Sequence, residues 1–110
     1  MKFQPNANPN MTSYQGELVT DYQTLVQVFG PPDYGPDERG DKTTCEWCLE
    51  WQDGMITTIY DYKTKATPRF PYAWHIGGHD DRAVARIRDY FKINQDPLVQ
   101  MVRDYEPEKA

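Results

Sequence analysis

The chain has 110 residues and a mass of 12.9 kDa, the size of one domain whose core needs no disulfide or metal staple. Its hydrophobic fraction is low at 38%, offset by 14% aromatic residues, each of which buries a large area. A net charge of -5 excludes a nonspecific nucleic-acid binder, which needs a basic footprint, and no apolar run is long enough to span a bilayer. The N-terminus shows no basic stretch followed by an apolar one, so no signal peptide is expected and the cytoplasm is the expected location. The acidic balance suits a basic partner, or solubility alone.

Residues 1–11 carry two prolines and three asparagines and read as a mobile tail. Thr12 to Val19 reads as a short strand weakened by Gly16. Thr20 is then the expected N-cap of a helix over 20–29, with Gln23 at capping-box spacing. Tyr22, Leu25, Val26 and Phe29 give that helix one apolar face, and Gly30 with Pro31 and Pro32 stops it. Residues 31–41 read as an exposed acidic loop. Lys42 to Gln52 alternates strictly. Cys45, Trp47, Leu49 and Trp51 share one face, and Thr44, Glu46, Cys48 and Glu50 share the other. Asp53-Gly54 predicts a two-residue type I′ hairpin, and Met55 to Lys63 is the returning strand.

Pro68 and Pro71 make 64–72 a loop, and Tyr72 to Ile76 is a third strand ended by Gly77-Gly78. Asp80 or Asp81 caps a helix near 80–92, with Ala83, Val84, Ile87, Tyr90 and Phe91 inward and Arg82, Arg86, Arg88 and Asp89 outward. Asp96 caps a last short helix, with Pro97 first and Leu98, Met101 and Val102 apolar, and 106–110 is a flexible end. The order β-α-β-β-β-α predicts one α+β domain over 12–105, an antiparallel sheet covered on one face by helices.

Cys45-x-x-Cys48 with His75-x-x-x-His79 offers the ligand types of a zinc site. Residues three apart in a strand point to opposite faces, so no metal and no disulfide is expected, but one buried cysteine and one surface thiol. The segment Trp74 to Asp80 joins a strand, a glycine pair and a helix N-terminus, where backbone N–H groups can face an anion. Tyr60, Tyr62, His75, Gly77, Gly78, His79 and Arg82 are the residues of a nucleotide site built there, in which a homodimer would supply the further contacts that tight binding needs. Against it, the glycines lack the spacing of a phosphate or dinucleotide fingerprint, so no cofactor is expected, and Asp80 and Asp81 add negative charge. A tight turn with glycines at positive φ explains the same residues.

Asp61 is placed to reach His75 on a neighbouring strand, a pairing that serves acid–base chemistry or a satisfied polar contact equally well. No nucleophile accompanies it, so no catalytic residue is expected. Trp47 and Trp51 read as core. Tyr34, Phe70 and Tyr72, in or beside loops, read as interface anchors. With Asp33, Asp37, Glu38 and Asp41 they form the expected protein-binding set.

Taken as a string, Val28-Phe29-Gly30-Pro31, Gly40-Asp41-Lys42-Thr43, Glu46-Trp47, Asp53-Gly54, Thr57-Thr58-Ile59-Tyr60-Asp61-Tyr62-Lys63 and Trp74-His75-Ile76-Gly77-Gly78 resemble a group of small bacteriophage proteins. The likeness covers about residues 13–91, and the cysteines at 45 and 48 are not part of its pattern. It implies a non-enzymatic inhibitor of a host protein, of the kind directed at restriction or CRISPR defences, acting in the host cytoplasm. Where such a partner binds nucleic acid, the acidic loop 33–41 would compete for its basic groove.

Overall fold

The computed structural model describes residues 2–95; the last short helix expected from Asp96 and the flexible end expected at 106–110 lie outside the described residues. The elements are β1 (Phe3–Gln4), β2 (Ser13–Thr20), α1 (Tyr22–Phe29), β3 (Glu46–Trp51), β4 (Ile56–Tyr60), β5 (Tyr72–Gly78) and α2 (Arg82–Asn94). The strands form one antiparallel sheet in the order β1-β3-β4-β5-β2, and the fold is α+β. No helix among the described residues is long and apolar enough to cross a membrane.

Alternation decides which side of the sheet is packed. Trp47, Leu49 and Trp51 stand with Ile59, Trp74, Ile76 and Leu18 against Leu25, Val28 and Phe29 of α1 and Ala83, Ile87 and Phe91 of α2. The three buried indoles each find an acceptor: Trp47 Nε1 donates to Gly30 O at 2.8 Å, Trp51 Nε1 to Thr57 Oγ1 at 2.9 Å and Trp74 Nε1 to Thr20 O at 2.9 Å. Large rings can therefore fill this core without stranding a buried donor.

The first residues depart from the expected mobile tail. Phe3 and Gln4 pair with Trp51 and Glu50, and Ala7 N donates to Cys48 O at 3.2 Å. The cause is one aromatic anchor: the Phe3 ring lies 5.1 Å from Trp51, 5.5 Å from Tyr90 and 6.0 Å from Phe29. Its burial outweighs the polar residues that follow it.

Helix α1 is capped by Asp21 and not by Thr20. Asp21 Oδ1 accepts from Thr24 N at 2.7 Å, while Thr20 stays in the ladder opposite Tyr72. The hairpin turn also differs from type I′, which needs positive φ at both central residues. Only Gly54 has it, at 90°. Gly54 N donates to Trp51 O at 2.9 Å and Trp51 N to Met55 O at 2.8 Å. This is the three-residue turn with a bulged glycine.

Gly77 and Gly78 do not follow β5 as a turn; they are its last two residues, extended and paired to β4 and β2 on either side. A Cβ on Gly77 would come within 2.2 Å of Thr58 Oγ1, and one on Gly78 within 2.4 Å of Ala83 Cβ. The pair is glycine for close approach, not for positive φ. At α2 the capping side chain is Asp80, whose Oδ1 accepts from Arg82 N at 2.9 Å. Arg86 is not simply outward: it lies 5.1 Å over the Trp51 ring and pairs with Asp53 at 2.6 Å, clamping the hairpin tip to the helix. Arg88 reaches Glu17 O on the edge strand β2 at 2.7 Å. A guanidinium on an edge carbonyl blocks that site from a further strand.

Candidate binding face

Both described helices lie on one side of the sheet, so the alternate residues of each strand stand on a face that no helix covers among the described residues. Cross-strand register places Glu46, Tyr60, His75 and Glu17 in one row and Cys48, Thr58, Gly77 and Tyr14 in the next. His75 sits at the centre of three tyrosines. Tyr14 meets its ring edge-on at 4.7 Å, Tyr60 edge-on at 5.3 Å, and Tyr62 stacks on it at 5.2 Å with planes 21° apart. Tyr14 is 53% exposed, Tyr62 37% and Val19, on the same face of β2, 69%. Tyr72 positions Tyr62, its hydroxyl accepting from Tyr62 N at 3.1 Å.

The electrostatics of this face are acidic at its margins. Glu17, Glu46 and Glu50 all project from it, while Lys63 Nζ lies 5.3 Å over the Tyr62 ring. Glu46 is half-buried, and burial raises its carboxyl above the ordinary 4.5, with the Cys48 thiol opposing the shift and Asp33 adding to it. The Tyr60 phenol is raised by burial first and then by Glu46.

The residues expected of a nucleotide site separate into two groups. Tyr60, Tyr62, His75 and Gly77 converge on the open face. Gly78 backs onto Ala83 on the helix side, and His79 and Arg82 line a different cleft of about 280 Å³ with Asp53 and Asp80. Arg82 is already paired to Asp80 at 2.7 Å, and that hydrogen-bonded pairing takes the Asp80 carboxyl down to about 2. The glycine backbone serves ladders on both sides. The stacking half of the site is assembled and the phosphate half is not.

Asp61 and His75 do not pair. Asp61 continues the alternation of Ile59 to the helix side and is fully buried. It accepts from Thr44 N at 2.7 Å, Thr44 Oγ1 at 2.6 Å, Cys45 N at 3.3 Å and the Thr64 hydroxyl. This carboxylate knots the loops before β3 and after β4. Cys45 and Cys48 lie on opposite sheet faces, so they do not converge with the histidines. The expected surface thiol is not found. Cys48 is buried as Cys45 is, with Asp33 Oδ2 on its N–H at 2.7 Å and Ala7 on its carbonyl. Burial pushes both thiols up to about 12, which keeps them protonated and unreactive at neutral pH.

The expected protein-binding set is divided in the same way. Asp33 is committed to Cys48 N, and Tyr34 bridges Glu46 through backbone bonds of 3.2 and 2.9 Å. Asp37 Oδ1 accepts from Thr67 N at 2.8 Å and its Oδ2 pairs with Arg69 at 2.8 Å. Tyr72 packs edge-on against Trp74 at 5.2 Å. These four hold the loops in place. Glu38, Asp41 and Phe70 remain exposed. Tyr14, Glu17, Val19 and Glu46 were not among the expected site residues. For Glu46 the signal was the alternation of β3; for Tyr14, Glu17 and Val19 it was the alternation of β2 about Leu18, which the bulge between Tyr14 and Gly16 interrupts. The chain matches no protein-family model, no curated protein and no solved structure.

Proposed function

We propose that this chain is a non-enzymatic binding protein of bacteriophage type, whose open sheet face docks on a basic surface of a host protein in the cytoplasm. The observation that carries the reading is the cluster of exposed Tyr14 and Tyr62 with half-buried Tyr60 about His75, rimmed by Glu17, Glu46 and Glu50. Clustered aromatic side chains are the usual energetic centre of an interface, and complementary charge at the margin sets partner choice. A net charge of -5 favours a basic partner, and nucleic-acid-handling defence proteins, restriction and CRISPR effectors among them, carry such surfaces.

A binding role also fits what the reactive groups are doing. The one carboxylate–imidazole pair that the sequence offers lies on two sides of a sheet, and both thiols are held protonated. The nucleotide alternative keeps its stacking residues, but its phosphate would meet Glu46 and Glu17 and not Arg82.

The test is co-purification from host lysate with three forms of the protein. The wild type and a Glu38→Lys, Asp41→Lys variant are expected to recover one stoichiometric protein. A Tyr14→Ala, Tyr62→Ala variant, altered only at exposed side chains, is expected to lose it. Recovery that survives the tyrosine change and fails on the loop change would transfer the function to the acidic loop. Heat from a nucleotide panel in calorimetry, lost in His75→Ala, would replace the protein-partner reading with the nucleotide one.

A further inference from the structure

Beside the tyrosine cluster the open face dips into a pocket of about 200 Å³, walled by Glu46, Thr58 and Tyr60 with Gly77 as its floor. Gly77 creates it. A Cβ there would lie 2.2 Å from Thr58 Oγ1 and 3.4 Å from a Tyr60 ring carbon, so a side chain at this position would occupy the space. Two polar groups in the pocket can take a further donor. Thr58 is 1% exposed and lines the pocket; among the described residues the buried side-chain atom without a hydrogen bond is Tyr34 Oη, not the Thr58 hydroxyl. Glu46 has no cation paired to it among the described residues, although it is half-buried. A carboxylate drawn out of water without a countercharge is unfavourable alone. A cation carrying several N–H donors relieves it and leaves a donor for the Thr58 hydroxyl.

We propose that the pocket receives an arginine side chain of the protein partner, its guanidinium donating to the Glu46 carboxylate and the Thr58 hydroxyl and lying against the Tyr60 ring. Arginine suits these walls better than lysine. Its planar fork can serve two acceptors at once, is less strongly hydrated than an ammonium, and stacks on an aromatic ring. Lys63 Nζ is engaged 5.3 Å over the Tyr62 ring. The inference rests on the reading of this face as a protein-docking surface and names the chemical group that the face selects.

The probe is the capped amino acid, Nα-acetyl-arginine methylamide, titrated into the intact protein while backbone amide resonances are followed. Saturable shifts are expected at Glu46, Thr58 and Gly77, with a dissociation constant on the order of 1 mM, the scale for a single side chain. The lysine analogue is expected to bind more weakly, and the neutral citrulline analogue not at all. Glu46→Gln, which changes charge and keeps volume, is expected to weaken arginine binding at least about tenfold. Thr58→Val, which removes the hydroxyl and keeps the shape, is expected to weaken it as well. Absence of saturable shifts in the wild type, equal binding of the citrulline analogue, or an unchanged constant in Glu46→Gln would overturn the proposal. The two readings fail separately: a partner captured as tightly by Glu46→Gln as by wild type sinks the arginine pocket and leaves the face, whereas no capture by wild type, or capture undiminished in Tyr14→Ala, Tyr62→Ala, sinks the face.

Discussion

Glu46 is the residue at which folding and binding pull apart. Burial raises its carboxyl above the ordinary 4.5, so the folded chain takes up its proton more readily than the unfolded chain. The stability that this proton contributes is full at acid pH and is lost as pH rises through the folded value. At neutral pH the ionised side chain therefore weakens the fold. Thermal melts of Glu46→Gln are expected to lie above those of wild type at pH 7 and to coincide with them near pH 3. A variant no more stable at pH 7 would mean that Glu46 is already compensated. A group that costs stability in the free protein and binds a cation in the complex is the usual signature of a functional side chain.

At the scale of elements, two contacts fix how the sheet is bounded. Strand β1 is held by a single ring, and Phe3→Ala is expected to cost about 2 kcal/mol, less than a fully buried phenylalanine because Phe3 is half-exposed. Chemical denaturation measures it, and a loss below about 0.5 kcal/mol would show that β1 is held by its backbone alone. The hairpin tip is tied to α2 by Arg86. The hydrogen-bonded guanidinium takes Asp53 down from 3.8 to about 2, so this tie contributes above 3.8 and is lost as pH falls towards 2. Removing it by Arg86→Gln should flatten the stability profile between those values; an unchanged acid limb would assign that limb to other carboxylates.

The elements were the legible part of the sequence. Alternation from Cys45 to Trp51 named four of the buried residues, and Asp53-Gly54 named the hairpin. The terminators were less so. Gly77-Gly78 looks the same on paper whether glycine is needed for positive φ or for a close neighbour, and only the packing of Thr58 and Ala83 decides it. Phe3 was hidden because its partners, Trp51, Phe29 and Tyr90, are distant in sequence.

At the scale of the molecule, the described residues form a sheet with one side spent on a core and the other free of helices. The core side takes both helices, three indoles and the buried Asp61 knot. The open side carries rings around His75 and carboxylates around the rings. Little of that site was legible. Tyr60, Tyr62 and His75 were marked by their aromatic chemistry. Tyr14 and Val19 depend on the register of β2 across β5, which the bulge at Gly16 shifts by one residue. Asp33 and Asp37 looked like free charges because backbone hydrogen bonds to a carboxylate leave no trace in sequence. The central claim is that the helix-free face, and not the helical one, binds the partner. It is tested most directly by calorimetric affinities of the isolated partner for Tyr62→Ala on the open face and Ile93→Ala on the outer side of α2, where Ile93 is 60% exposed. The account predicts a loss of roughly thirtyfold for Tyr62→Ala, about 2 kcal/mol, and no change for Ile93→Ala; the opposite pattern would contradict it.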